Sequence, residues 1–413
     1  MIEHQSDLSG PRIFRYLVTL IPAVILMAVT LSTVSCGSHG IFAFASSSSS
    51  ASPTSTKTTN VGKFAFVTNF NDAKVSTLTR NTTTGALKRV GTIAAGAVKG
   101  PHGLAIAPSN AFLYVANVGD DNIYQFAVSL TNGALTPLSP ASISNGAGSG
   151  PEQLAMSING AFLFATGSGN GTITAYTVNT STGQLTANGA ALGGFNTPFG
   201  IALNPNFPTP SILYVSDAVT GVIWPLTVGS NGSLSKNLPG VHSSDGAADA
   251  PGFIAIDPTG ASLFVADKRL AEVSTFSIDS TTGALTAAFT FQNGSVNDSP
   301  IGIGIGTNTS VEYLFTANQG APGLGVAGSV SSFVATGTTL TSPPTQASPY
   351  NGPLGLAVDP LNLFVYAADS GDGTVSQSII KGTCGSALCA GPKIATENPV
   401  NKNSAPYGIV LSN

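Results

Sequence analysis

Apolar positions along the chain fall into short alternating runs separated by turn residues, and one phrase returns in constant register. A proline opens it, followed by any residue, usually a glycine, and then an apolar run of strand length. The copies are PHGLAIAP from Pro101, PEQLAMS from Pro151, PFGIALNP from Pro198 and PGFIAIDP from Pro251. PIGIGIG from Pro300, PLGLAVDP from Pro353 and PYGIVLS from Pro406 complete the set. Successive prolines lie 50, 47, 53, 49, 53 and 53 residues apart. Period-2 runs repeated about every fifty residues predict a propeller of four-stranded blades.

The expected fold is all-β: seven blades of four strands each. The proline phrase is strand A, lining the axis. Strand B follows as FLYVAN, FLFATG, SILYVSD, SLFVAD, EYLFTAN and LFVYAAD, and strand C as IYQFAV, ITAYTV, VIWPLTV, VSTFSI, VSSFVA and VSQSII. Pro225 in VIWPLTV removes a ladder donor, which weakens that strand. Turns such as TNGAL, STGQL and TTGAL lead into strand D, with glycine at the left-handed position of a bulged hairpin. GIGIG from Gly302 to Gly306 imitates a nucleotide loop, but it keeps strand A register and no helix follows. The final phrase has no strand after it, and the segment from Lys63 is a strand B with no strand A before it. The C-terminal strand is therefore expected to pair with the N-terminal blade strands and close the ring, which removes open edges.

Composition changes the picture before the propeller begins. Arg12 and Arg15 precede an apolar core that ends at Ser35-Cys36, the pattern of an export signal over residues 1–36. Thr33-Val34-Ser35-Cys36 resembles a bacterial lipoprotein cleavage box, which makes Cys36 the expected lipidation site; an ordinary secretory signal or an uncleaved anchor are the other readings. Residues 37–62 read as a Ser/Thr-rich tether and 63–413 as the propeller. Export places it in the periplasm, at the outer membrane or on the cell surface of a bacterium, attached to membrane only through that N-terminus. In an oxidising compartment Cys384 and Cys389 are expected to form a disulfide. Only 8% of residues are charged and the formal net charge is −4, so no nucleic-acid footprint exists. A monomer is expected, with no cofactor and no metal; the short acidic loops at Asp120-Asp121 and Asp369–Asp372 lack full calcium-loop spacing.

YVAN and YVSD before a variable loop, then a β-branched strand and TTGALT, resemble the lactonase-type seven-bladed propellers. That group includes 6-phosphogluconolactonase-like and YVTN-repeat proteins, and the resemblance covers nearly all of residues 63–413. It implies that the histidine of a Pro-His phrase acts as general acid or base on a lactone ring, a role that His102 in PHGLAIAP would take. It also implies Arg and Glu on neighbouring blades to hold an anionic substrate; that set is not recoverable in this sequence beyond His102, and Glu152 and Arg269 are the assistants a hydrolase would use.

The residue after each proline is expected to face the channel mouth: His102, Glu152, Phe199, Gly252, Ile301, Leu354 and Tyr407. Thirteen acidic residues and five basic ones fall in the D-to-A and B-to-C loops of that face. Two explanations compete: a functional acidic surface, and the ordinary use of Asp in turns. The first makes the chain a binding or scaffold module for a small-molecule, saccharide or protein ligand, held by His102, Glu152, Asp217, Asp267, Lys268 and Tyr407. The alternatives are a lactonase-like hydrolase of sugar lactones using His102 and a structural cell-envelope repeat protein.

Overall fold

The computed structural model describes residues 62–206, 211–243, 250–294, 298–308, 311–320, 326–341, 345–380, 388–396 and 404–412. The chain divides into two units, Met1–Gly37 and Ser38–Asn413, and the propeller lies in the second. Cys36, the export signal and the tether before Gly62 lie outside the described residues, as does Cys384. Cys389, in the outer strand Leu388–Ala395, is disulfide-bonded.

Seven antiparallel sheets form seven blades, with strand A followed in turn by B, C and D. For blades 1 to 7 the A strands are Pro406–Leu411, Pro101–Ile106, Pro151–Met156, Pro198–Leu203, Pro251–Ile256, Pro300–Asn308 and Pro353–Val358. Each touches the A strand of the next blade, and the last touches the first, so the ring is closed. Among the described residues the only helical element is the single turn Phe70–Asp72.

Closure uses the two ends of the chain as expected. Pro406–Leu411 runs antiparallel to Phe64–Asn69, with Val410 opposite Phe66. Ser412 clamps the pair: its N–H donates to the Phe64 carbonyl at 2.9 Å, and its Oγ accepts from the Phe64 N–H at 3.0 Å. The seam also holds the ion pair of Arg80 with Asp359, 3.1 Å apart and with neither side chain exposed. Arg80 ends strand C of blade 1, where blades 2, 3, 4, 5 and 7 carry the aliphatic residues Val128, Val178, Val228, Ile278 and Ile380. Its guanidinium also donates to the carbonyl of Gly62, which fastens the entering chain. Asp359 is held in turn by the N–H groups of Leu361, Leu363 and Phe364. Burial raises the pKa of the Asp359 carboxyl, against the pull of Arg80 and those donors.

Blade-to-blade packing explains why turns and strands share one period. Strand B contributes a fully buried aromatic at the same step in every blade: Phe66, Tyr114, Phe164, Tyr214, Phe264, Phe315 and Tyr366. Each is worth roughly 1.5–3 kcal/mol of apolar burial. Where that residue is tyrosine, its hydroxyl donates to the turn glycine of the next blade: Tyr114 to Gly183 at 2.6 Å, Tyr214 to Gly283 at 2.9 Å, Tyr366 to Gly85 at 2.7 Å. The ring of Phe112 packs on Gly183, where an added Cβ would lie 2.2 Å from it and φ is +77°. Only glycine satisfies both demands.

Three blades depart from the expected four continuous strands; in blade 3 the outer strand is Leu185–Ala187, and Leu192 meets Ile173 of strand C as a separate bridge. In blade 4 the outer strand is broken into Leu234–Ser235 and Val241–His242, and the gap falls opposite Trp224, Pro225 and Leu226. Pro225 has no N–H to donate, so the ladder restarts on either side of it. In blade 6 the outer strand is likewise two pieces, Thr339–Leu340 and Thr345–Tyr350, both on strand C.

Candidate functional site

The A–B ladder of every blade slips register just after the opening proline. The shift falls between Pro101 and Leu104, Pro151 and Leu154, Pro198 and Ile201, Pro251 and Ile254, Pro300 and Gly302, and Pro353 and Leu356. Blade 1 shifts opposite its own copy, between Val67 and Asn69. A bulge releases a residue from the ladder and re-aims its side chain. Here the released position is the second of the phrase, so six side chains and one glycine, Gly252, converge from seven A strands at one end of the ring.

They are not alike. Blades 1 to 3 supply Tyr407, His102 and Glu152, a polar arc; blades 4 to 7 supply Phe199, Gly252, Ile301 and Leu354, an apolar one. In the apolar arc Phe253 joins Ile301 and Leu354 in one cluster, against which Phe199 and Tyr407 pack. Phe199 stacks on Phe253 with centroids 5.3 Å apart.

In the polar arc the imidazole of His102 lies flat on Tyr407, centroids 3.9 Å apart and planes 3° from parallel. Phe70, from the B-to-C turn of blade 1, lies against the same imidazole with its centroid 5.0 Å away and its plane tilted by 40°. Nδ1 of His102 meets Oε2 of Glu152, and the two side chains are 11% and 12% exposed. Oε1 of Glu152 accepts from Ser168 Oγ at 3.0 Å, and Ser168 is itself tied to the Gly150 carbonyl. With a carboxylate at Nδ1 the proton belongs on that nitrogen, and Nε2 presents its lone pair. Among the described residues Nε2 makes no hydrogen bond. Burial, reinforced by the negative charge of Glu152, drives the Tyr407 phenol well above its ordinary pKa, so it stays a neutral donor. The arrangement can take a proton on one histidine nitrogen while a buried carboxylate steadies the cation formed.

The remaining expected site residues are not brought to this arc. Asp217 is 1% exposed and its carboxylate accepts the N–H groups of Asn196 and Thr197 at 2.7 and 3.1 Å. Asp267 is fully buried and accepts from Arg269 and Leu270 N–H at 3.1 and 3.2 Å. Both hold loops together from within, so neither offers its carboxylate to a ligand. Lys268 and Arg269 are exposed on the B-to-C turn of blade 5, two blades beyond Glu152. The acidic turns follow the same pattern. Asp121 accepts from the N–H groups of Gly148 and Gly150, at 2.7 and 2.8 Å. Asp369 and Asp372 share Lys393, at 3.3 and 3.2 Å. Burial pushes the Asp369 carboxyl up to about 6 despite that lysine.

Sequence reading missed Phe70, Ser168 and Gln153. The first two occupy the same step, the first residue after strand B, which is a recognisable position once the bulge is known. Gln153 takes the third place of its phrase, where five of the seven copies have glycine. Its side chain is 1% exposed, and neither amide atom has a partner among the described residues.

Comparison with known proteins bears on this geometry. A family model described as lactonase, 7-bladed beta-propeller, matches residues 29–299. Among solved structures, a putative 6-phosphogluconolactonase from Bacteroides fragilis is similar at TM-score 0.68 and 16% identity, covering 87% of this chain and 100% of that one. A putative 6-phosphogluconolactonase from Bacteroides uniformis gives TM-score 0.67 and 15% identity, covering 84% and 99%. The periplasmic gluconolactonase of Pseudomonas aeruginosa gives 0.63 and 13%, covering 85% and 99%. At such identities these structures speak for the fold. No curated protein matches the chain in a sequence search.

Proposed function

Because the chain belongs to the lactonase family of seven-bladed propellers, we propose that it is an exported, monomeric hydrolase that opens uncharged lactone rings at the polar arc of its channel mouth. The observation that carries this reading is the His102–Glu152 pair, in which a carboxylate on Nδ1 leaves Nε2 as a base beside a mixed polar and apolar mouth. The two putative 6-phosphogluconolactonases and the gluconolactonase among the similar structures lend it support from the fold side.

In this mechanism water attacks the lactone carbonyl carbon as Nε2 of His102 removes its proton. Negative charge collects on the carbonyl oxygen. The ring C–O bond then breaks, and the imidazolium returns the proton to the departing ring oxygen, leaving a hydroxy acid and a neutral histidine. Glu152 stays ionised throughout, holding Nδ1–H and stabilising the cation. The stack on Tyr407 and the tilted contact with Phe70 restrain the plane of the ring.

The seven mouth positions hold no Lys or Arg, and one of them is Glu152. A phosphorylated or carboxylated lactone would meet repulsion there without a compensating cation, whereas a neutral one would not. The acidic loop face supports a binding-module reading less well, because Asp121, Asp217, Asp267, Asp369 and Asp372 are engaged within the chain. The test is hydrolysis of paired phosphorylated and unphosphorylated sugar lactones, corrected for spontaneous opening. Preference for the unphosphorylated member is expected; turnover restricted to the phosphorylated one would refute the substrate assignment.

A further inference from the structure

The first residue after strand B sits in one backbone setting in all seven blades. Its N–H donates to the carbonyl of the residue before the opening proline, from Phe70 on Ala405 in blade 1 to Ser370 on Gly352 in blade 7, at 2.8 to 3.2 Å. Each side chain therefore starts from the same place relative to the mouth residue, which lies two positions beyond that carbonyl. Only blades 3 and 7 put serine there, as Ser168 and Ser370. The next bond is shared too: Gly169 donates to Ser149, and Gly371 to Asn351, at 2.8 Å in both. One serine thus serves as a built-in control for the other.

In blade 7 the mouth residue is Leu354, whose side chain has no acceptor, and the Ser370 hydroxyl donates to the Gly352 carbonyl at 2.7 Å. In blade 3 the mouth residue is Glu152. There the Ser168 hydroxyl lies 3.1 Å from the Gly150 carbonyl and 3.0 Å from Glu152 Oε1. A hydroxyl has one proton and cannot serve both acceptors. Hydrogen bonds to an ionised acceptor are roughly twice as strong as neutral ones, and the Gly150 carbonyl keeps the Ser168 N–H in either case. The proton therefore goes to Glu152, and the backbone contact is longer than its counterpart in blade 7. Among the described residues each oxygen of Glu152 then has one donor, Ser168 on Oε1 and His102 Nδ1 on Oε2.

We propose that Ser168 is a positioning residue for the His102–Glu152 pair: its hydroxyl pins Oε1, which keeps Oε2 on Nδ1–H and leaves Nε2 as the base. Without that anchor the carboxylate turns about its side-chain bonds, and the two ring nitrogens compete for one proton. Ser168 acts only through Glu152 and takes no part in bond making. Its effect on turnover rests on the lactonase reading, whereas its effect on the imidazole does not.

The test compares the full-length wild type with Ser168→Ala and Ser370→Ala, which remove the same hydroxyl from equivalent turns. Three readouts are taken: thermal midpoint, turnover of an unphosphorylated sugar lactone, and the imidazole nitrogen shifts of histidine-labelled protein, with the His102 signal assigned by its loss in His102→Ala. In the wild type the neutral ring should carry its proton on Nδ1. Ser168→Ala should show a mixture of the two ring forms, and its kcat should fall roughly 10–100-fold with KM little changed. Ser370→Ala should keep both the wild-type ring form and the wild-type kcat, while lowering the midpoint at least as much as Ser168→Ala does. An unchanged His102 ring form in Ser168→Ala overturns the assignment whatever the rates, and so does an equal loss of kcat in the two variants. A ring form that shifts as expected in a protein that opens no lactone would leave Ser168 in its place and overturn the lactonase reading alone.

Discussion

The two arcs of the channel mouth are built by one backbone rule and do opposite things. Every blade frees the second residue of its proline phrase with a bulge, yet blades 1 to 3 put Tyr407, His102 and Glu152 there and blades 4 to 7 put Phe199, Gly252, Ile301 and Leu354. The apolar arc closes on itself with Phe253 as keystone, and it is satisfied without any ligand. The polar arc carries an oriented imidazole and a buried carboxylate, groups whose burial costs energy unless something uses them. Repetition of the fold supplies position; departure from repetition supplies chemistry.

That contrast is easiest to break at Glu152. Glu152→Gln keeps the shape but no longer holds Nδ1–H with a negative charge, and turnover should fall roughly 10²–10⁴-fold with the thermal midpoint little changed. Steady-state kinetics beside a melting curve decides it: equal losses of both would mean that the polar arc is only structural. The seam gives the complementary experiment. Arg80→Ala leaves Asp359 as an unpaired buried charge and should cost about 3–5 kcal/mol in a denaturant titration, while the specific activity of the folded fraction is retained.

Smaller effects sharpen the division. In the apolar arc, Phe199→Ala should raise KM roughly tenfold and leave kcat nearly unchanged, if Phe199 binds substrate and transition state alike. The last prediction concerns pH. Burial, with a contribution from Asp257, pushes the Glu312 carboxyl up to about 7 at the end of blade 6 far from the mouth. The native state therefore holds a proton there that the unfolded chain releases at its ordinary value near 4.5. Stability from this group is complete below the unfolded value and is lost as pH rises through about 7. The thermal midpoint should decline over that interval. Glu312→Gln should flatten the decline without altering turnover, and an unchanged slope in the variant would contradict the assignment.

The ring was legible because its signals are periodic. Seven prolines in register, turn glycines and an unmatched strand at each end determine the blade count and the closure, and the structure has both. The tyrosine-to-glycine ties between blades were not legible as pairs, since Tyr114 and Gly183 belong to different repeats and neither is unusual in its own. His102, Glu152 and Tyr407 could be placed at the mouth from their phrase positions alone. Asp217 and Asp267 could not be separated from them by residue type, because a carboxylate that binds loop N–H groups has the same spelling as one that faces solvent. Gln153 was visible only as a missing glycine. The broken outer strand of blade 4 did have a signal, in Pro225, although its result is a gap in the ladder.

The most direct test of the account is the rate at which purified wild type and His102→Ala open an unphosphorylated sugar lactone above the spontaneous background. The account predicts measurable turnover by the wild type and a loss of roughly 10²–10⁴-fold in a variant that melts at nearly the same temperature. Equal rates in the two proteins would contradict it.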